Sequence, residues 1–277
     1  MTGALLGVYS YAEFFGAAVA FLPAMGASHL RHRGDVTQRA PGRWMRRFGR
    51  VTSRLTPVWR FSVDGPTPPH ILERAYVVVA NHESTADPFL LSFLPWDMRW
   101  VAKEELFKLP LLGWLMQFGG DIPIRRGARE SVEEMLDECR RTLAAGMPIM
   151  MFPEGTRSPD GRLLPFKPGA FQLAIEAGVP IVPVALAGTR HCRPKGSRWF
   201  GKARAHARVL EPISTAGMGP ADIERLAEMT RRQIAEALPA VCEAVGVEPH
   251  RAALEVEAER ASAPDDGEPT PRREHAA

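Results

Sequence analysis

Between residues 75 and 91 the chain reads A-Y-V-V-V-A-N-H-E-S-T-A-D-P-F-L-L, and this stretch limits the choice of fold more than any other. The run 76–79 is apolar without alternation, the pattern of a strand buried on both faces. It stops at Asn81-His82. Asp87-Pro88 followed by Phe89-Leu90-Leu91 is a helix-start signal, with Asp87 as N-cap and Pro88 in the first turn. His82 therefore belongs at the carboxyl end of a strand, and in an α/β sheet ligands bind at that edge. Residues five apart point about 140° away from each other on a continuous helix. Across a strand-to-helix turn the side chains of His82 and Asp87 can meet. A carboxylate on one imidazole nitrogen fixes the tautomer and leaves the other nitrogen free to take a proton. The competing reading is a helix-capping aspartate beside a surface histidine.

The remainder of the chain alternates strand and helix. Strands are expected over 98–102, delivering Lys103, over 121–126, ending in Arg125 and Arg126, and over 148–152 and 180–186, with an edge strand over 203–210. Between them the clearest helix covers 129–145, with Val132, Met135, Leu136, Cys139 and Leu143 on one face. Glu130, Glu133 and Glu134 stand in its first turns and Arg140 and Arg141 near its end, as the helix dipole favours. A shorter helix is expected over 170–177, and a last amphipathic helix over 221–238, stopped by Pro239. Residues 256–277 hold no aromatic residue and read as disordered.

The net charge of +3 conceals an asymmetry: residues 1–30 carry one charged side chain, Glu13, whereas 31–60 carry nine arginines against Asp35. Residues 4–28 are mostly apolar and long enough to cross a bilayer, which takes about 20 residues, although Pro23 breaks the run. No basic segment precedes them, against a cleaved signal peptide. Trp44, Phe48, Val51 and Leu55 then share one helical stripe, and Arg43, Arg47, Arg50 and Arg54 the next. This is the pattern of a basic amphipathic helix lying in a membrane interface. Basic flanks favour the cytoplasmic leaflet, by one span or by shallow insertion. The rival is an arginine face packed on the protein. Binding to nucleic acid would leave the apolar segment unexplained. The expected division is 1–58 for membrane attachment, 59–247 for a catalytic domain and 248–277 for a polar tail. Cys139, Cys192 and Cys242 show neither metal nor disulfide spacing, and no metal or cofactor is expected.

After the strand over 148–152 comes Phe152-Pro-Glu-Gly-Thr-Arg-Ser158. Gly155 permits a tight turn there, and amides around 154–156 can face a pocket. Together with Asn81-His82…Asp87, Gly120-Asp-Ile-Pro-Ile-Arg-Arg126 and Val179-Pro-Ile-Val-Pro-Val-Ala-Leu186, in that order along the chain, this segment resembles the glycerolipid acyltransferases, most closely the bacterial 1-acyl-glycerol-3-phosphate acyltransferases. The resemblance covers residues 60–210. It implies an α/β core, a central mixed sheet flanked by helices, with an N-terminal helical membrane-binding element. It also implies roles. His82 would be the general base acting on the acceptor's hydroxyl, and Asp87 would orient it. Lys103, Arg126 and Arg157 would bind the acceptor's phosphate, with Glu154, Gly155 and Thr156 shaping that pocket. The acyl donor would be acyl-CoA or acyl-carrier protein, and the partners membrane phospholipid and lysophospholipid, with no nucleic acid. The second motif usually has an acid where this chain has Arg125, so either Arg125 or Arg126 meets the phosphate. Other lysolipids or glycerol-3-phosphate are alternative acceptors. A thioester or phosphoester hydrolase is a second reading, weakened by the lack of a G-x-S-x-G elbow. A lipid-binding protein without turnover is a third.

Overall fold

A computed structural model of the chain describes residues 3–125, 127–193 and 200–248. The valines after Tyr76 form β2 (Val77–Ala80), in which every residue is buried. Successive side chains of a strand point to opposite faces, and here they enter two different cores. Val78 and Ala80 pack with Leu90, Leu91, Trp96 and Met150, while Val77 and Val79 pack with Ile149, Phe171, Leu173 and Cys139. A strand apolar on both faces needs a partner along each edge, and β2 has β6 (Ile181–Ala187) on one side and β5 (Ile149–Met151) on the other.

The full sheet has seven strands in the order β1-β7-β6-β2-β5-β3-β4, with β1 at Trp59–Asp64, β3 at Arg99–Lys103, β4 at Ile122–Ile124 and β7 at Ala203–Val209. Strands β6, β2, β5, β3 and β4 are mutually parallel. Strand β7 runs antiparallel to β6, and β1 follows β7 in parallel, so the sheet is mixed. The expected edge strand over 203–210 is thus an inner strand. Its alanines at 203, 205 and 207 are buried, and β1 pairs outside it from Trp59↔Ala203 to Asp64↔Arg208. The alternating apolar positions Trp59, Phe61 and Val63 carry the signal for that outer strand.

The helices lie on both faces. Helix α6 (Arg129–Ala144) and α7 (Gly169–Ala177) cover the Val77/Val79 side. Helix α8 (Ile223–Val245) packs on β6 and β7. It does not stop at Pro239 but runs six residues further, to a left-handed cap at Gly246. Proline forfeits one hydrogen bond of the helix ladder. Burial of Leu238, Val241, Cys242 and Val245 in one cluster with Ala185 and Ala187 of β6 offsets that cost.

The N-terminal helices form a hairpin against the core. Helix α1 (Gly3–Arg31) likewise passes through its proline, Pro23. One side, Phe14, Ala18, Phe21 and Met25, packs on Phe48 and Leu115, and Gly26 lies against the Phe118 ring. Leu5, Val8, Phe15 and Val19 on the rest of the helix stay exposed. Helix α2 (Arg39–Leu55) buries Phe48 but leaves Leu55 out, and it is not a free basic stripe. Arg43 pairs with the buried Asp97 at 2.7 Å, joined by Arg46 at 3.0 Å and Arg39 at 3.9 Å. Arg47 lies over Trp44 and Arg54 over Phe93. The backbone at Gly49 approaches the Ser92 side chain so closely that a Cβ would stand 3.0 Å from it. Ser92 follows α3 (Asp87–Leu91), so α2 sits directly on the helix that begins with Asp87.

Asp97→Ala would leave the buried Arg46 guanidinium without its counter-charge, a change that costs about 3–5 kcal/mol for a buried pair. The variant is expected to unfold at a clearly lower temperature than the wild type in a calorimetric scan. An unchanged Tm would show that the pairing does not hold α2 in place.

Candidate functional site

Because β6, β2, β5, β3 and β4 run the same way, their carboxyl ends leave one edge of the sheet side by side. His82 follows β2, the segment 152–158 follows β5, Lys103 ends β3, Arg125 follows β4 and Thr189 follows β6. The first join is made by Asn81. Its side-chain amide donates to the carbonyl of Leu186 and accepts the Leu186 N–H, each at 2.9 Å, so it extends the β2–β6 ladder with a side chain.

Immediately beyond, Asp87 is fully buried and acts as a hub. Its Oδ2 is 2.6 Å from His82 Nδ1 and accepts the backbone N–H groups of Glu83 at 2.9 Å and Ser84 at 3.0 Å. Its Oδ1 accepts the Thr189 hydroxyl. The carboxylate therefore faces back across the turn; Asp87 is the first residue of α3, and Ala86 holds the N-cap position. Two backbone donors and a tautomer-fixed imidazole hold it there. The His82 ring lies flat on Phe152, with ring centres 4.1 Å apart and an angle of 19°. Held by Asp87 on one nitrogen and by Phe152 on one face, it presents Nε2 outward, with no protein partner among the described residues. The tautomer follows from the acceptor at Nδ1.

Glu154 is the second buried carboxyl, and it turns inward. Its Oε1 accepts the His82 backbone N–H at 2.7 Å and its Oε2 the Leu164 N–H at 3.2 Å. The N–H of Ser158 in turn donates to the His82 carbonyl at 2.8 Å. The 153–158 turn is thus tied to His82 on both sides of its α-carbon. Glu154, expected to help shape the phosphate pocket, is held inward as a clamp beneath the histidine. Gly155 does make the turn expected of it: its φ is +67°, and a Cβ there would come within 2.8 Å of the Lys167 side chain. Lys167 is thereby a cation beside the turn that the sequence pattern did not single out.

Thr156 and Arg157 are exposed at the same turn. Arg157 makes no ion pair with Glu154 among the described residues, so that structural use of the arginine is absent. Lys103 is exposed too, 3.3 Å from Glu105, and pairs of this kind in water are worth ~0–1 kcal/mol. Arg125 stands 3.8 Å from Glu104, again at the surface. Arg126 lies outside the described residues. The structure therefore joins His82, Asp87, Glu154 and Gly155 by direct contact, and sets Lys103, Thr156 and Arg157 along the same edge without contact among them. No group of three or more His, Cys, Asp or Glu among the described residues is placed to hold a metal ion. The cysteines are buried and separate, and burial pushes the thiol of Cys139 up to about 12 and that of Cys242 to about 11.

Residues 61–187, from β1 to the end of β6, match the Acyltransferase family. The chain is 41% identical over 121 residues to the chloroplastic 1-acyl-sn-glycerol-3-phosphate acyltransferase BAT2 of Brassica napus, covering 44% of this chain and 35% of that protein. It is 35% identical over 161 residues to human 1-acyl-sn-glycerol-3-phosphate acyltransferase alpha, covering 57% of each. The chain spans about half the length of the curated relatives it matches. Among solved structures it is similar to the 1-acyl-sn-glycerophosphate (LPA) acyltransferase PlsC from Thermotoga maritima, with a TM-score of 0.65 and 27% identity, covering 84% of this chain and 95% of that one. The mixed α/β sheet flanked by helices is the fold the two share.

Burial, countered by the N–H groups of His82 and Leu164, raises the Glu154 carboxyl to about 7. A carboxyl whose pKa rises on folding binds its proton more tightly in the native state, so the stability it contributes is full below about 4.5 and is lost as pH rises through about 7. Glu154→Gln removes this titration. The variant is expected to gain in Tm relative to the wild type as pH is raised from 5 to 8. A difference in Tm that does not change with pH would show that the carboxyl does not titrate there.

Proposed function

We propose that the chain transfers a fatty acyl group from an acyl thioester, acyl-CoA or acyl-carrier protein, to the free hydroxyl of 1-acyl-glycerol-3-phosphate, giving phosphatidic acid. The observation that carries this reading is the His82–Asp87 contact at 2.6 Å, set among cationic strand ends on one sheet edge. His82 Nε2 takes the hydroxyl proton while that oxygen bonds to the thioester carbonyl carbon. The carbon–sulfur bond then breaks, and the imidazolium returns the proton to the departing thiolate. No covalent acyl-enzyme is required, and Asp87 steadies the imidazolium while it exists. Such general-base assistance is worth about 10²–10⁴-fold.

The acceptor's phosphate is assigned to Lys103, Arg157 and Arg126, the last on the strength of the sequence resemblance alone. Adjacent strands lie about 4.8 Å apart, so a lysine on β3 and an arginine after β5 are within side-chain reach of a phosphate whose glycerol hydroxyl meets His82 on β2. Fixed cations there orient the hydroxyl as well as bind the anion. Thr156 and the turn at Gly155 border the same space.

The work is assigned to a membrane, at its cytoplasmic face. Helix α1 is apolar enough over residues 7–31 to cross a bilayer, and most of that surface is exposed. Lysolipid and phospholipid are then the partners, reached without leaving the lipid phase. Arg47 and Arg54 on the outer side of α2 add charge suited to anionic headgroups.

Two experiments test the proposal. In a transfer assay with labelled acyl-CoA, His82→Ala is expected to lose at least ~10²-fold in kcat while 1-acyl-glycerol-3-phosphate still binds. In the same assay Arg157→Ala is expected to raise the acceptor's KM at least severalfold. Unchanged acceptor affinity would remove Arg157 from the phosphate site, and free fatty acid released without acceptor acylation would indicate a hydrolase. In flotation with phospholipid vesicles, removal of residues 1–56 is expected to release the protein, and retention would place the anchor elsewhere.

A further inference from the structure

Beyond Asp87 the hydrogen bonds continue. Thr189, fully buried after β6, has one hydroxyl proton and touches two carboxyl oxygens, Asp87 Oδ1 and, at 3.3 Å, Glu83 Oε2. One proton cannot serve two anions, so if both carboxyls were ionised, one of these oxygen pairs would meet with no hydrogen between them. A proton on Glu83 removes the conflict. Resting on the reading of His82 as general base, we infer that Glu83 and Thr189 are positioning residues for it: neutral Glu83 donates to Thr189 Oγ1, Thr189 donates to Asp87 Oδ1, and Asp87 is thereby held with Oδ2 toward His82 Nδ1.

The surroundings of Glu83 suit the neutral acid. Asp87 of α3 adds negative charge near it, and the Glu154 carboxyl after β5 lies close enough to feel the charge of Glu83. Arg190 gives its backbone N–H to Glu83 Oε2 at 3.3 Å, and its guanidinium, bonded to the carbonyl of Asp160 at 2.8 Å, also draws the carboxyl's pKa down, though by less than burial and the Asp87 charge push it up. From the other side α8 brings Arg231 and Cys242, with Glu248 beyond it, around a small cleft that Glu83 lines. The carboxyl can therefore exchange its proton with solvent through that cleft. Burial first, then the Asp87 charge, pushes its pKa up to about 7. Above that range Glu83 becomes a second acceptor for the one Thr189 proton. Asp87 loses its brace in part of the population, and the imidazole is less well aimed. The chain-distant threonine and the acid beside His82 thus couple the rate to pH without touching substrate.

The test measures kcat and KM for acyl transfer to 1-acyl-glycerol-3-phosphate between pH 6 and 9, with the full chain and the variants Thr189→Val, Thr189→Ser, Glu83→Gln and His82→Ala. Thr189→Val is expected to lower kcat at least tenfold with KM changed less than twofold, and Thr189→Ser to restore most of the loss. Wild-type kcat is expected to fall on the alkaline side. Glu83→Gln, whose amide donates at every pH, is expected to move that fall upward by more than one pH unit. Calorimetric scans of each variant establish that it is folded. Wild-type kcat in Thr189→Val, an alkaline limb in Glu83→Gln that coincides with the wild type, or an inactive Glu83→Gln that is fully folded would each overturn the inference. Transfer retained by His82→Ala would instead overturn the reading of the base. Inactive His82→Ala beside fully active Thr189→Val removes the positioning chain alone.

Discussion

Asp87 is a buried carboxylate that would be costly to leave unpaired, and its neighbours are arranged to satisfy it: the His82 imidazole, the N–H groups of Glu83 and Ser84, and the Thr189 hydroxyl. These donors come from the end of β2, from the turn after it and from the end of β6. Bringing them to one carboxylate requires β2 and β6 to be neighbours in parallel register, with Asn81 bridging to the Leu186 backbone just before the chains diverge. The valines of β2 and the apolar run of β6 supply the burial that makes this pairing stable. The chemistry and the fold thus meet at one acidic side chain.

From that point the site spreads along the sheet in strand order and not in chain order. The turn after β5 lies beside His82 because β5 inserts between β2 and β3, and Glu154 then fastens it from below. Lys103 and Arg125 follow on the next strands. Segments 72 residues apart, His82 and Glu154, become neighbours because β2 pairs in parallel with β5, two further strands having been laid down between them in the chain. In the proposed reaction this separates the labours: buried anions hold the imidazole, and exposed cations meet the substrate.

Much of this was legible in residue order. The unalternating valines announced a central strand, the five-residue gap put His82 and Asp87 across a turn, and the FPEGTRS segment pointed to the same edge. What escaped depends on partners remote in sequence. Asp87 carries the signature of a helix cap, yet nothing local reveals that Thr189, 102 positions further on, competes for it. Glu154 looks like a pocket acid until the His82 N–H is seen to need an acceptor. Pro23 and Pro239 read as helix stops because a local rule counts the lost hydrogen bond and not the buried face that continues past it. Arg43 shows as a surface charge because Asp97, its partner, stands 54 positions away on another element.

The borders of the sheet bear on how copies of this protein behave when crowded. An open strand invites a foreign backbone to dock and extend it. At one border β4 is only three residues long with Pro123 in its middle, too short and too poor in donors to seed such growth. At the other, Arg60 and Asp64 of β1 place charges along the rim, with Asp64 already engaged by Arg208 and His206. A molecule concentrated on a two-dimensional surface meets its own kind far more often than one in bulk solution. Blunted borders at both ends let it do so without polymerising.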